Sequence, residues 1–187
     1  MKLKKCNAVL SLLTFAAMLL HTGYSAFSYL TLYYNPVLTK AFAIPFAVLT
    51  CLHAVLGMCS VFFLSDGTRT ELYGRKNLRT VIQRVTAALI FPLLILHINT
   101  FGMLKATAEA GQYFLFALLI LSEIIFYLTV FAHAAVSFDK ALITLGILSS
   151  LKARKTVNRI VEPLCAVLFA LTAFAVIKGQ ITMFLLI

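Results

Sequence analysis

Four histidines stand at positions 21, 53, 97 and 133, and each falls in a different apolar run. None lies in the polar segments between the runs. Ionisable side chains are costly inside a bilayer and are usually functional there. A single intramembrane histidine is also explained by a hydrogen bond between helices. Four of them, one per run and none elsewhere, point instead to ligation. Neutral imidazole binds iron, and a pair of imidazoles is a standard way to hold a haem. A haem is flat and largely apolar, so it fits between the helices of a bundle. Four ligands suffice for two haems.

The elements that must position these histidines follow from composition. The chain has 187 residues, 62% of them hydrophobic and only 12% charged, with a mean hydropathy of +1.00. A soluble domain carries roughly 25% charged residues, so the solvent for most of this surface is lipid. The length suits one domain, 1–187, with no separate soluble catalytic domain. A membrane helix needs about 20 apolar residues. Five runs qualify, near 7–33, 41–64, 80–104, 113–136 and 160–177. The expected fold is therefore all-α, an integral membrane bundle of five transmembrane helices.

The first run begins Lys2-Leu3-Lys4-Lys5 and has small residues at Ser25 and Ala26, as a secretory signal would. Its apolar region is longer than the roughly 7–15 residues of a signal's apolar core, so a retained span is expected. Cleavage after Ala26 would also remove His21. No disulfide framework or zinc site is expected from Cys6, Cys51, Cys59 and Cys165, which form no C-x-x-C pair.

A net charge of +10 would suggest nucleic acid in a soluble protein. Here the basic residues sit in short segments between spans, where they set topology, and no nucleic-acid partner is expected. With the N-terminus in the cytoplasm, 13 of the 16 basic residues lie inside. Only Lys40, Lys105 and Lys178 are left outside. The expected orientation is N-terminus cytoplasmic and C-terminus outside, in the cytoplasmic membrane. The apolar segment 141–151, between Lys140 and Lys152, is too short to span. It either extends the fourth helix or lies along the interface.

Orientation allows the histidines to be sorted by depth. His21 lies 16 residues past Lys5, and His97 lies 18 past Arg79. At ~1.5 Å per residue both stand roughly 24–27 Å from those inner markers. His53 precedes Asp66 by 13 residues and His133 precedes Asp139 by 6, giving about 20 and 9 Å from the inner face. The expected pairs are an outer one, His21 with His97, and an inner one, His53 with His133. The shallow position of His133 requires a fourth helix that continues past Asp139.

Glu123 precedes His133 by ten residues, which places it near the level of His21 and His97. A carboxyl group at that depth is expected to be protonated or paired, and it is a candidate for proton transfer. Gln83, Arg84 and Thr86 stand near the inner end of the third span. Arg84 is a candidate partner for a haem propionate or a topology anchor. Gly57, Ser25 and Ser137 each lie four residues past a histidine, on its own helix face, and leave room for a macrocycle edge. Glu162-Pro163 are expected to open the fifth helix. Pro45 and Pro92 interrupt the second and third.

These residues carry a resemblance. Gln83-Arg84-Val85-Thr86-Ala87, followed by an apolar helix ending at His97-Ile98, resembles the Q-R-[VI]-T-G…H signature of succinate dehydrogenase and fumarate reductase cytochrome b subunits. His53-Ala54-Val55-Leu56-Gly57 resembles the H-x-x-x-G of that family's second helix. The stretch from Phe131-Ala132-His133 to Leu145-Gly146-Ile147 resembles its histidine-bearing fourth helix and the segment after it. The chain is most similar to the single-subunit, five-helix, dihaem branch, over nearly its whole length. Three positions depart. Ala87 stands where the family usually has glycine, and the chain has no tryptophan. Phe131 stands where some dihaem relatives carry a glutamate, so the resemblance does not extend to a proton path of that kind.

The resemblance implies a membrane anchor binding two haems b, with His21 and His97 ligating the outer and His53 and His133 the inner. It implies a flavoprotein and an iron–sulfur subunit as partners on the cytoplasmic face. It also implies a membrane quinone, menaquinone in many dihaem relatives, links Arg84 to it, and makes Gln83, Arg84, Thr86 and Glu123 candidates for contact with haem propionates or quinone. The basic segments 69–79 and 152–159 are candidate docking surfaces. Such a subunit does not bind the dicarboxylate itself. Two rival readings remain: an equivalent haem anchor for a different flavoprotein reductase, and a non-haem transporter or structural subunit of the membrane.

Overall fold

The computed structural model describes residues 2–64 and 78–186, with side chains described for 2–60 and 78–186. Within these residues it is all-helical, with five long apolar helices able to cross a membrane. They are α1 (Lys2–Thr31), α2 (Pro36–Leu64), α3 (Leu78–Glu109), α4 (Tyr113–Thr144) and α5 (Leu151–Ile181), closed by a π-helical turn, Thr182–Leu186. Arg69, Arg75 and Lys76, three of the topology markers, lie outside the described residues. So do Asp66, Gly67 and Gly74.

Each helix is longer than its apolar run, at 29–32 residues. At ~1.5 Å per residue these lengths exceed the ~30 Å hydrocarbon core, enough for the helix ends to reach the headgroup regions. Large apolar side chains such as Leu20, Val48, Ile98, Leu121 and Leu171 are exposed around the bundle. Lipid contact accounts for that surface. The localisation supported is a multi-pass membrane protein.

Local chemistry terminates the helices where loops are short. Asn35 caps α2, its Oδ1 accepting from the amides of Val37 (3.0 Å) and Leu38 (3.2 Å), with Pro36 as the first helical residue. Gly111 (φ 66°) ends α3, and the Gln112 amide donates back to the Thr107 carbonyl at 2.9 Å. Gly146 (φ 82°) ends α4 in the same way, with the Ile147 amide donating to Leu142 at 2.9 Å. Both glycines occupy the left-handed backbone region that follows many helices. Ser150 then caps α5 by accepting from the Ala153 amide at 3.1 Å.

The segment 141–151 therefore does two things. Its first residues extend α4 past Asp139 to Thr144, and the rest turns into α5. It forms no separate interfacial helix. The expectation that Glu162-Pro163 open the fifth helix is overturned: α5 begins at Leu151, and Pro163 lies inside it. The polar stretch 152–159 is basic and precedes the fifth apolar run. It is helical because Ser150 starts the helix early and its residues are mostly good helix formers.

In the bundle α1 packs on α2, α3 on α4, and α5 on both α4 and α1, with α1 also touching α4. The core runs through Met18, Phe46, Phe131, Val161 and Cys165, and a second cluster of Leu104, Phe116, Leu119 and Ile120 joins α3 to α4. Cys165 is buried there as a small hydrophobe. Neither α1 with α3 nor α2 with α4 is a closely packed pair. Those are the helix pairs whose histidines were expected to meet.

Candidate functional site: two cross-bundle histidine pairs

His21 and His97 face each other with ring centres 6.4 Å apart and planes at 82°. His53 and His133 do the same at 6.3 Å and 63°. All four side chains are half-buried. A metal–nitrogen bond of about 2.0–2.1 Å puts an imidazole centre roughly 3 Å from the metal, so two imidazoles on opposite sides of one metal stand roughly 6 Å apart. Packed aromatic rings alone also span about 4.5–7 Å. Two further observations distinguish these pairs. Each bridges helices that do not pack closely, and most of the rings are held by one particular nitrogen.

That nitrogen is Nδ1. In His53 it lies 2.9 Å from Asn7 Oδ1. In His133 it lies 3.0 Å from Thr86 Oγ1 and 3.2 Å from the Gln83 carbonyl. The Thr86 hydroxyl donates its own proton to Ile82 O at 2.7 Å, so toward His133 it accepts. Both partners of that ring are acceptors, and Nδ1 carries the proton. In His97 it lies 2.8 Å from Glu123 Oε2. A donated Nδ1–H leaves the Nε2 lone pair available, which is the arrangement that orients metal-binding histidines. His21 is the exception: its Nδ1 is buried without a partner, and its ring stacks on Phe46 at 5.6 Å. The Ser137 hydroxyl stands 3.4 Å from His133 Nε2, a long contact. Among the described residues no three His, Cys, Asp or Glu side chains cluster as a metal site. The imidazoles stand as pairs, a donor set suited to a metal whose other ligands come from a macrocycle.

The two pairs occupy different levels. The His53–His133 pair meets the start of α1 through Asn7 and the start of α3 through Gln83 and Thr86. The His21–His97 pair lies one layer further along, between Phe46 and Phe126, whose ring stacks on His97 at 4.7 Å. Phe46 and Phe126 each precede the histidine of the other layer by seven residues, about 10 Å along their helices.

The remaining candidates fall on these layers. Glu123 is buried and bonds both His97 and the Tyr127 hydroxyl. The side chain of Gln83 accepts from Lys140 Nζ at 2.5 Å while its carbonyl serves His133. Arg84 is exposed and lies among the charges around Lys140, with Asp139, Arg79 and Arg154. Of the small residues, Gly57 faces Asn7, where an added Cβ would come within 3.9 Å of its amide nitrogen.

Several participants escape a reading of the sequence. Asn7 looks like the polar end of a span. Phe46 and Phe126 look like ordinary lipid-facing aromatics. Tyr127 had a signal, since it lies four residues after Glu123 and so on the same helix face. Asp139 is fully buried and bonds Arg154 Nε at 2.6 Å and Asn158 at 3.3 Å, with Arg79 at 3.5 Å. Arg79 also reaches Glu162 on α5. This network joins α3, α4 and α5 at the basic end of the bundle.

No family model, curated protein or solved structure matches the chain. The functional reading rests on the geometry above and on the motifs quoted earlier.

Proposed function

We propose that this chain is the dihaem cytochrome b membrane-anchor subunit of a succinate:quinone or quinol:fumarate oxidoreductase. It sits in the cytoplasmic membrane with its N-terminus inside and its C-terminus outside. The observation that carries the reading is the pair of cross-bundle histidine contacts, at 6.4 and 6.3 Å, between helices that do not pack closely. His21 and His97 would hold the outer haem, and His53 and His133 the inner. When bound, haem b supplies one-electron transfer between an iron–sulfur subunit and a membrane quinone, for which menaquinone is our choice.

The chain's own residues do the positioning. Asn7 turns His53, and Thr86 and the Gln83 carbonyl turn His133, so that each presents Nε2 inward. Arg84 and Lys140 offer positive charge at the inner level for propionate carboxylates. The flavoprotein and iron–sulfur partners dock on the basic inner end, and the dicarboxylate is handled by the flavoprotein.

The test is a reduced-minus-oxidised spectrum of the purified complex, with its haem-to-protein ratio and its copurifying subunits identified. Two b-type centres per chain are expected, together with a flavoprotein and an iron–sulfur protein. Absence of a b-type signal sinks the reading. In the His53→Ala variant one centre is lost and the other largely kept; loss of both from an intact bundle contradicts independent pairs.

A further inference from the structure

The four histidines do not share one environment. His53 leans on a neutral amide, His133 on a hydroxyl and a carbonyl, and His21 Nδ1 on nothing. Among the described residues only His97 meets a carboxyl group, Glu123 Oε2 at 2.8 Å. Glu123 is 3% exposed, and the Tyr127 hydroxyl donates to the same oxygen. Both Glu123 and Tyr127 sit on α4, one turn apart, while His97 comes from α3. The face of the His97 ring is closed by Phe126.

From this asymmetry we infer that Glu123 is a positioning residue that tunes the outer centre alone, lending His97 anionic character through Nδ1, with Tyr127 moderating that effect. The inference rests on the dihaem reading. A carboxylate accepting Nδ1–H strengthens the imidazole as a donor to whatever Nε2 ligates. A stronger donor favours the oxidised, more positive metal, so it lowers the reduction potential of that centre. The low-dielectric surroundings keep the effect from being screened. Tyr127 competes for the same oxygen and drains part of the charge from the His97 contact. Removing Glu123's charge and removing Tyr127's hydroxyl should therefore move the potential in opposite directions.

The experiment is a redox titration of both b-type centres in the intact complex, for Glu123→Gln and Tyr127→Phe. Glu123→Gln is expected to keep both centres and to shift the reduction equilibrium of one at least tenfold toward the reduced form. That is about 59 mV upward for a single electron. Tyr127→Phe shifts the same centre downward and leaves the other unmoved. The affected centre is identified as the one that disappears in His97→Ala. An unchanged potential in Glu123→Gln, or equal shifts in both centres, overturns the inference. Should Glu123→Gln fail to assemble, Tyr127→Phe decides: no downward shift overturns the inference. A wild-type complex without b-type centres would instead refute the dihaem reading itself, so the two failures are distinguishable.

Discussion

Asn7 and His53 are 46 positions apart in the chain, and their 2.9 Å contact fixes which ring nitrogen of His53 faces inward. Groups that hold the far nitrogen of a ligating histidine in this way typically contribute about 10–100-fold to metal affinity. The Asn7→Ala variant is therefore expected to lower haem occupancy at the inner pair roughly tenfold under limiting haem, leaving the outer pair intact. Haem titration of the variant complex reads this directly, and equal occupancy at both centres would show that Asn7 does not orient His53. The partner of each histidine along the bilayer depth was legible in the sequence, because a helix is a ruler of constant rise. The Nδ1 partner was not. It depends on how each helix is rotated about its axis, and neither Asn7 nor Thr86 advertises that rotation.

α5 passes close to the end of α1 at Gly179. A Cβ added at Gly179 would come within 2.6 Å of Tyr29 Cβ and Cδ1 and 2.8 Å of its carbonyl oxygen. Backbone would have to move, so Gly179→Ala should destabilise the bundle by about 1–3 kcal/mol. A lowered apparent Tm of the detergent-solubilised chain checks this, and Gly102→Ala, where nothing lies within 4 Å of the new methyl, is the matched control. Close approach of small residues is how membrane helices gain contact without a hydrophobic driving force. The same element shows what charge patterning conceals. The basic stretch 152–159 resembles a loop, yet it is the first two turns of α5, started by Ser150. Glu162 lies well inside that helix, 2.5 Å from Arg79, and links α5 to α3.

For the whole molecule, the proposed orientation in the membrane rests on the basic end of the bundle. Arg79, Lys140 and Arg154 gather there around the buried Asp139. The short loops after α1, α3 and α4 make neighbouring helices antiparallel. With that end inside, a reporter active only outside the cytoplasmic membrane should be active when fused to the C-terminus and inactive when fused to the N-terminus. The reverse pattern would invert the assignment of inner and outer pairs. Asp139 itself had served in the sequence only as a marker of the membrane boundary. In the fold it is a fully buried acid with three partners on two other helices, an arrangement that offsets the cost of removing its charge from water.

The sequence by itself determined the number of helices, the apolar character of their surface, the presence of one histidine in each of the first four, and the two levels at which those histidines stand. Hydropathy and helical rise are properties of one dimension, so they survive without a fold. Only the tertiary structure decided that α1 and α3, and α2 and α4, are not closely packed pairs although their histidines meet. It also decided that Glu123 turns toward His97 and that Asn7 turns toward His53. These depend on rotation about each helix axis and on contacts between residues 26 to 50 positions apart, which no local pattern encodes.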